Sequence, residues 1–176
     1  EDALVVAGFL NSFIRHADVV KIANIAQIVN VIAPILTRGD EMLLQTIYYP
    51  FVMYASRREG VALQPVVDGP GYESPSYGDT TYIDTSAILG DGVLHIFLVN
   101  RNTSETAEIE IDHGSGNLVS VISAEVVSGP GPDVRNTYEN PNAISSQPLQ
   151  TIKISEGKAN IQLPPLSVAA ITFRTG

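Results

Sequence analysis

Apolar residues at Val6, Phe9, Leu10, Phe13 and Ile14 recur at i, i+3, i+4, i+7 and i+8 and predict a helix over residues 3–16. Glu1 and Asp2 suit the positive end of its dipole, Arg15 and His16 the negative end. After Ala17-Asp18 the pattern changes. Val19 to Val29 is nearly continuous in apolar and β-branched residues, which predicts a strand buried on both faces, as in a parallel sheet covered by helices. Residues 30–45 read as a loop around Pro34 and Arg38-Gly39-Asp40. From Thr46, an N-cap candidate, Ile47, Phe51, Tyr54 and Ala55 return at helical spacing as far as Arg57-Arg58-Glu59-Gly60. Helix, strand, loop, helix is an α/β rhythm.

From Val61 onward the period shortens to two. Strands are predicted at 93–99, 107–111, 119–127, 151–155, 159–163 and 167–173, separated by turn residues including Gly90-Asp91-Gly92, Gly114-Ser115-Gly116 and Glu156-Gly157. The alternation Ala107-Glu108-Ile109-Glu110-Ile111 marks a strand with one wet face. A long polar segment, Ser128 to Gln147, interrupts the series. The chain thus divides into an α/β fragment, residues 1–59, and an antiparallel β-sandwich, residues 60–176. So few α/β elements close no barrel, and the first part would expose apolar surface unless another segment or chain covers it.

Composition narrows the partners. A formal net charge of −9 disfavours nucleic acid and anionic lipid surfaces. The absence of cysteine excludes disulfides and thiolate metal sites and accords with a cytoplasmic location, secretion remaining open. The longest apolar run is broken by Lys21, Asn24, Gln27, Asn30 and Pro34, a poor membrane span. The chain opens at Glu1 without a methionine and reads as a piece of a longer protein.

Three stretches carry a resemblance: Asp2-Ala3-Leu4-Val5-Val6-Ala7-Gly8, Arg15-His16-Ala17-Asp18, and the run from Lys21 through Ala26-Gln27-Ile28-Val29-Asn30 to Ile35. With Gln45-Thr46-Ile47-Tyr48-Tyr49-Pro50-Phe51 and, more thinly, Asn136-Thr137-Tyr138-Glu139-Asn140-Pro141 and Leu163 to Val168, the chain resembles the C-terminal portion of glycoside hydrolase family 51 α-L-arabinofuranosidases. The resemblance implies that residues 3–16, 19–28 and 46–58 are the seventh helix, eighth strand and eighth helix of a (β/α)8 barrel. It also implies that the remainder is a jelly-roll sandwich.

The family removes terminal arabinofuranosyl residues from arabinan and arabinoxylan by double displacement, with a nucleophilic and an acid/base Glu about 5 Å apart. Both carboxylates are expected upstream of Glu1, so this chain is expected to contain no catalytic residue and to be inactive alone. The resemblance assigns Gln27 a contact to the sugar, since a carboxamide both donates to and accepts from hydroxyls; the plainer alternative is a buried amide tying down backbone carbonyls. Asn24 and Asn30 are expected to support the site from behind or to pin the loop, and Met42 and Leu43 to lie near the barrel mouth. Expected partners are an arabinose-containing oligosaccharide, the upstream catalytic barrel segment and further copies of the complete enzyme; no cofactor is expected.

Other constellations carry less. His16, His95 and His113 lack metal-ligand spacing, and the paired carboxylates Glu108/Glu110 and Asp79/Asp84 are expected on solvated faces. A different class of function is a non-catalytic carbohydrate-binding or assembly sandwich, with Tyr72, Tyr77, Tyr82 and Tyr138 as stacking candidates.

Overall fold

In a computed structural model that describes residues 1–114 and 116–176, two antiparallel sheets stack face to face and two helices cover the outer side of the larger sheet. The chain opens with α1 (Asp2–Arg15), then the hairpin of β1 (Ile35–Arg38) and β2 (Glu41–Leu44), then α2 (Tyr48–Ala55). Eleven strands follow: β3 (Val61–Leu63), β4 (Gly71–Ser74), β5 (Gly78–Thr81), β6 (Ile83–Gly90), β7 (Val93–Asn100), β8 (Ala107–Ile111), β9 (Leu118–Ser128), β10 (Gln147–Pro148), β11 (Ile152–Ser155), β12 (Lys158–Leu163) and β13 (Ser167–Thr175). The large sheet runs β10-β9-β13-β7-β6-β3, the small one β11-β12-β8, and β4-β5 is a separate hairpin.

Alternation along β7 and β13 divides the interior into two layers. Leu94, Ile96, Leu98, Ala169, Ile171 and Phe173 pack with Ala159, Ile161 and Leu163 between the sheets. Phe97, Val99, Val168 and Ala170 point the other way, against Ala7, Met53 and Tyr54 of the helices. The Tyr54 ring stacks on Phe97 at 4.0 Å. Because both faces are covered, these strands are apolar at nearly every position, although they are antiparallel. The β6–β7 and β11–β12 hairpins turn through Asp91-Gly92 and Glu156-Gly157, whose φ values of 51°, 71°, 53° and 77° put both central residues in the left-handed region of a type I′ turn.

Several expectations need correction. No strand forms over residues 19–28, most of which are exposed, irregular chain. A parallel strand takes its ladder bonds from neighbouring strands, and no described strand lies alongside this segment. Residues 30–45 are not a plain loop but contain the β1–β2 hairpin. The second helix starts at Tyr48 with Ile47 at the cap and no side-chain capping bond, so Thr46 does not cap it; Pro50 sits in the first turn, where its missing N–H has no intrahelical partner to lose. The single stripe on α1 is split: Leu10 and Ile14 join the layer against the sheet, while Phe9 and Phe13 are 61% and 37% exposed. Ser115, within the turn expected at 114–116, lies outside the described residues.

Strand β6 is absent from the sequence pattern because Asp84-Thr85-Ser86 reads as polar. It is buried under α1 by matching polar groups. Asn11, fully buried, donates to Asp84 Oδ2 at 2.8 Å and accepts from Ser86 Oγ at 2.6 Å and Tyr54 Oη at 2.7 Å. Arg15 pairs with Asp84 at 3.0 Å. Asp84 therefore lies in the helix–sheet interface rather than on the expected solvated face. At the end of α2, buried Arg57 meets Glu125 at 2.7 Å and donates to Thr172 Oγ1 at 3.1 Å and the Met53 carbonyl at 3.0 Å. These two polar junctions tie the helices to the sandwich.

Candidate functional site

Gln27 stands in an exposed stretch between α1 and β1, and Asn24 is also exposed, three residues upstream. Asn30 is built into the hairpin instead. Its backbone N–H donates to the Ile35 carbonyl at 2.8 Å, its Oδ1 accepts from the Thr37 N–H at 2.7 Å, and its Nδ2 donates to Thr37 Oγ1 at 2.9 Å. A parallel bridge joins Val29 to Ile35. Asn30 and Val31 both have φ of 61°, a left-handed conformation that is unfavourable for the β-branched Val31 and that these bonds hold at Asn30. The structure thus joins Asn30 to β1 and leaves Asn24 and Gln27 facing outward.

The hairpin is fastened at both ends. At its base, the Gln45 N–H donates to the Pro34 carbonyl at 2.8 Å and the Gln45 side chain to the Ala33 carbonyl at 2.5 Å. Leu43 turns inward, 3% exposed, whereas Met42 is 63% exposed. Asn136, 7% exposed in the long segment between β9 and β10, donates from Nδ2 to the Leu44 carbonyl at 2.9 Å and the Ile144 carbonyl at 2.8 Å. Its Oδ1 accepts from the Ile144 N–H at 2.8 Å. Near the hairpin tip, the Arg38 guanidinium lies over the Tyr138 ring at 4.0 Å and pairs with Glu41 at 3.0 Å and Glu139 at 4.0 Å. The hydrogen bond to Glu41 is the first cause that raises the Arg38 pKa above its ordinary value. Sequence reasoning missed the Arg38–Tyr138 and Asn136–Leu44 contacts; the run Asn136 to Pro141 was their visible signal.

Residues 1–167 match the family described as the α-L-arabinofuranosidase C-terminal domain. The chain belongs to this family. An intracellular exo-α-(1→5)-L-arabinofuranosidase of Streptomyces lividans is 32% identical over 168 residues, which are 94% of this chain and 25% of that protein. An exo-α-(1→6)-L-arabinofuranosidase of Bifidobacterium longum is 33% identical over 175 residues, 97% of this chain and 34% of that protein. The structure of a family 51 α-L-arabinofuranosidase from Bifidobacterium longum superposes with a TM-score of 0.90 at 30% identity, covering 98% of this chain and 34% of that one. The family 51 arabinofuranosidase of Xanthomonas axonopodis gives 0.87 at 28% identity, with 98% and 35% covered. The chain spans about a quarter to a third of the length of these relatives.

In this arabinofuranosidase C-terminal domain the carboxylates of and beside β8 are engaged with β12. Glu110 and Asp112 both hold Lys158, at 3.0 and 2.9 Å, and Glu108 accepts from Gln162 at 2.9 Å, linking β8 to β12. The Lys158 ammonium lowers the Asp112 pKa, and the two carboxylates raise that of Lys158. Among the described residues no group of three His, Asp or Glu is placed to hold a metal ion, and no helix is long and apolar enough to cross a membrane. Tyr72 and Tyr82 lie 5.4 Å apart on the β4–β5 side, and Tyr77 is 87% exposed, while one face of Tyr138 is taken by Arg38. A cleft of about 700 Å³ opens between the sheets beside β8; its walls include the apolar Leu63, Ile83, Leu94, Ile96 and Ile109 together with polar Gln64, Asn100, Asn102, Glu105 and Glu108.

Proposed function

We propose that this chain is the C-terminal part of a retaining exo-acting α-L-arabinofuranosidase, residues 1–59 completing a (β/α)8 catalytic barrel and residues 60–176 forming its jelly-roll domain. The family match across residues 1–167 carries this reading. The exposed apolar side chains Phe9, Val19, Ile22, Ile28, Val31 and Ile32, 61–81% accessible, support it, since such a patch is expected where a further layer of protein packs. In that setting the 19–28 segment gains strand neighbours and Gln27 contacts the sugar, while the two Glu that perform the double displacement come from outside this chain. Asn24 and Asn30 support that segment. The substrate class is arabinose-containing oligosaccharides, the complete enzyme is a homo-oligomer, and its location is cytoplasmic, in keeping with the intracellular relatives by name.

The complete protein is expected to hydrolyse an aryl α-L-arabinofuranoside with retention of the anomer, followed by proton NMR, and to elute as an oligomer on light-scattering chromatography. This chain alone is expected to be inactive. Gln27→Ala in the complete protein is expected to lower kcat/KM about 10- to 100-fold, a loss of one or two hydrogen bonds to the sugar. A complete protein without arabinofuranosidase activity, or an active isolated chain, overturns the reading.

The carbohydrate-binding alternative rests on Tyr72, Tyr77 and Tyr82. Loss of arabinan retention on affinity electrophoresis in Tyr77→Ala, with hydrolysis of small substrates unchanged, would favour it.

A further inference from the structure

We infer that the long sandwich segment between β9 and β10 holds Gln27 in position, with Asn136 and Tyr138 acting as positioning residues through the β1–β2 hairpin. The inference rests on the reading of Gln27 as a sugar contact. Within this chain Gln27 belongs to no secondary element; strand neighbours proposed for residues 19–28 in the complete protein hold its upstream side, and the support that this chain itself supplies lies downstream.

Upstream, residues 21–24 are exposed irregular chain for which this chain supplies no strand partner. Downstream, Gln27 is tied within three residues. Val29 bridges Ile35 and Asn30 bonds both Ile35 and Thr37, so residues 29–30 move with β1. Three residues span at most about 10 Å, which leaves Gln27 little independent reach from that anchor. The left-handed conformation of Asn30 is fixed by its bonds to Ile35 and Thr37.

The hairpin in turn is held by the sandwich. Among the described residues its two strands pair with each other and with no further strand, so its orientation depends on side-chain anchors. Asn136 grips the end of β2 at the Leu44 carbonyl while its other two bonds lock it to Ile144. Tyr138 and Glu139 receive Arg38 near the tip. Two anchors at opposite ends of a short hairpin fix its tilt, which one alone would leave free. The sandwich thus reaches the sugar-binding segment by a path of direct contacts, Asn136 and Tyr138 to the hairpin, the hairpin to Val29 and Asn30, and these to Gln27.

The test is a double-mutant cycle in the complete protein on an aryl α-L-arabinofuranoside. Tyr138→Ala is expected to raise KM about fivefold with kcat changed less than twofold, and Tyr138→Phe, which keeps the ring under Arg38, to restore KM. Arg38→Ala, a change at an exposed side chain, is expected to reproduce the effect without threatening folding. Combined with Gln27→Ala, neither should raise KM further. Additive effects, or an unchanged KM in both Tyr138→Ala and Arg38→Ala, would overturn the inference. If the complete protein cleaves no arabinofuranoside, the functional reading fails separately and hydrogen exchange decides the coupling. Amides of residues 27–30 exchanging about tenfold faster in Arg38→Ala uphold it, and unchanged exchange overturns it.

Discussion

The carboxamide of Asn11 and the carboxylate of Asp84 meet at 2.8 Å between α1 and β6, beside the apolar side chains that pack the helices on the sheet. Asn11 also receives the hydroxyls of Ser86 and Tyr54, so one amide satisfies three buried groups from two other elements. Burial is the main cause that holds the Tyr54 phenol well above its ordinary pKa, which keeps it a neutral donor to Asn11.

Asn11→Ala should lower the stability of the chain by about 3 kcal/mol, because the hydroxyls of Ser86 and Tyr54 and one oxygen of Asp84 lose their partner at once. Urea unfolding followed by circular dichroism measures this. A loss below about 1 kcal/mol would mean that water replaces the amide freely.

Removing Arg57 alone should cost about 3–4 kcal/mol, since Glu125 would be left with its charge only partly solvated. The pair Arg57→Met with Glu125→Leu should cost less than Arg57→Ala. The comparison needs only the three midpoints from the same urea titration.

His95 is the group through which pH should act near neutrality. Its ring lies 3.0 Å from Thr172 Oγ1; burial first and then the charge of Arg57 lower its pKa from 6.5. As pH falls below about 6.5 the unfolded chain takes up this proton before the folded one does, so stability is full above that value and declines with acidification. His95→Asn should flatten the dependence between about pH 7 and 5, measured as urea midpoints. An unaltered slope would assign the effect to other groups. Asp112 and Glu139, whose folded pKa values are lowered from 3.8 and 4.5, act in a separate window, losing their contribution as pH falls through the carboxylate range.

Phe9 and Phe13 distinguish the isolated chain from the complete protein. In the chain, Ser should cost less than about 0.5 kcal/mol at Phe9, 61% exposed, and about 1–2 kcal/mol at Phe13, only 37% exposed, and the changes should reduce self-association in sedimentation. In the complete protein the same changes should lower the melting temperature, each ring removing roughly 1.5–3 kcal/mol of burial. Equal effects in both would argue against a covering layer over α1.

The strands at β7, β8, β9, β11, β12 and β13 were legible because their alternation and turns are local properties; Asp91-Gly92 and Glu156-Gly157 specify their hairpins with four residues. The first helix was legible for the same reason. Strand β6 was not, because its polar centre is explained only by Asn11 and Arg15, about 70 positions away. Residues 19–28 show the opposite failure. Their composition favours a buried strand, but a strand exists only where neighbours supply its hydrogen bonds.

For the candidate site, the motif around Gln27 pointed to one residue, while the hairpin, the two left-handed residues and the Arg38–Tyr138 contact came from the structure. By itself the sequence determined the first helix, the strands of clean alternation and their turns, and which family they resemble, since these depend on near neighbours and on ordered motifs. Only the tertiary structure decided which faces are covered, that Asn11 and Arg57 are buried with their partners, and that the sandwich grips the hairpin beside Gln27, because burial and pairing arise between residues that the chain order keeps far apart.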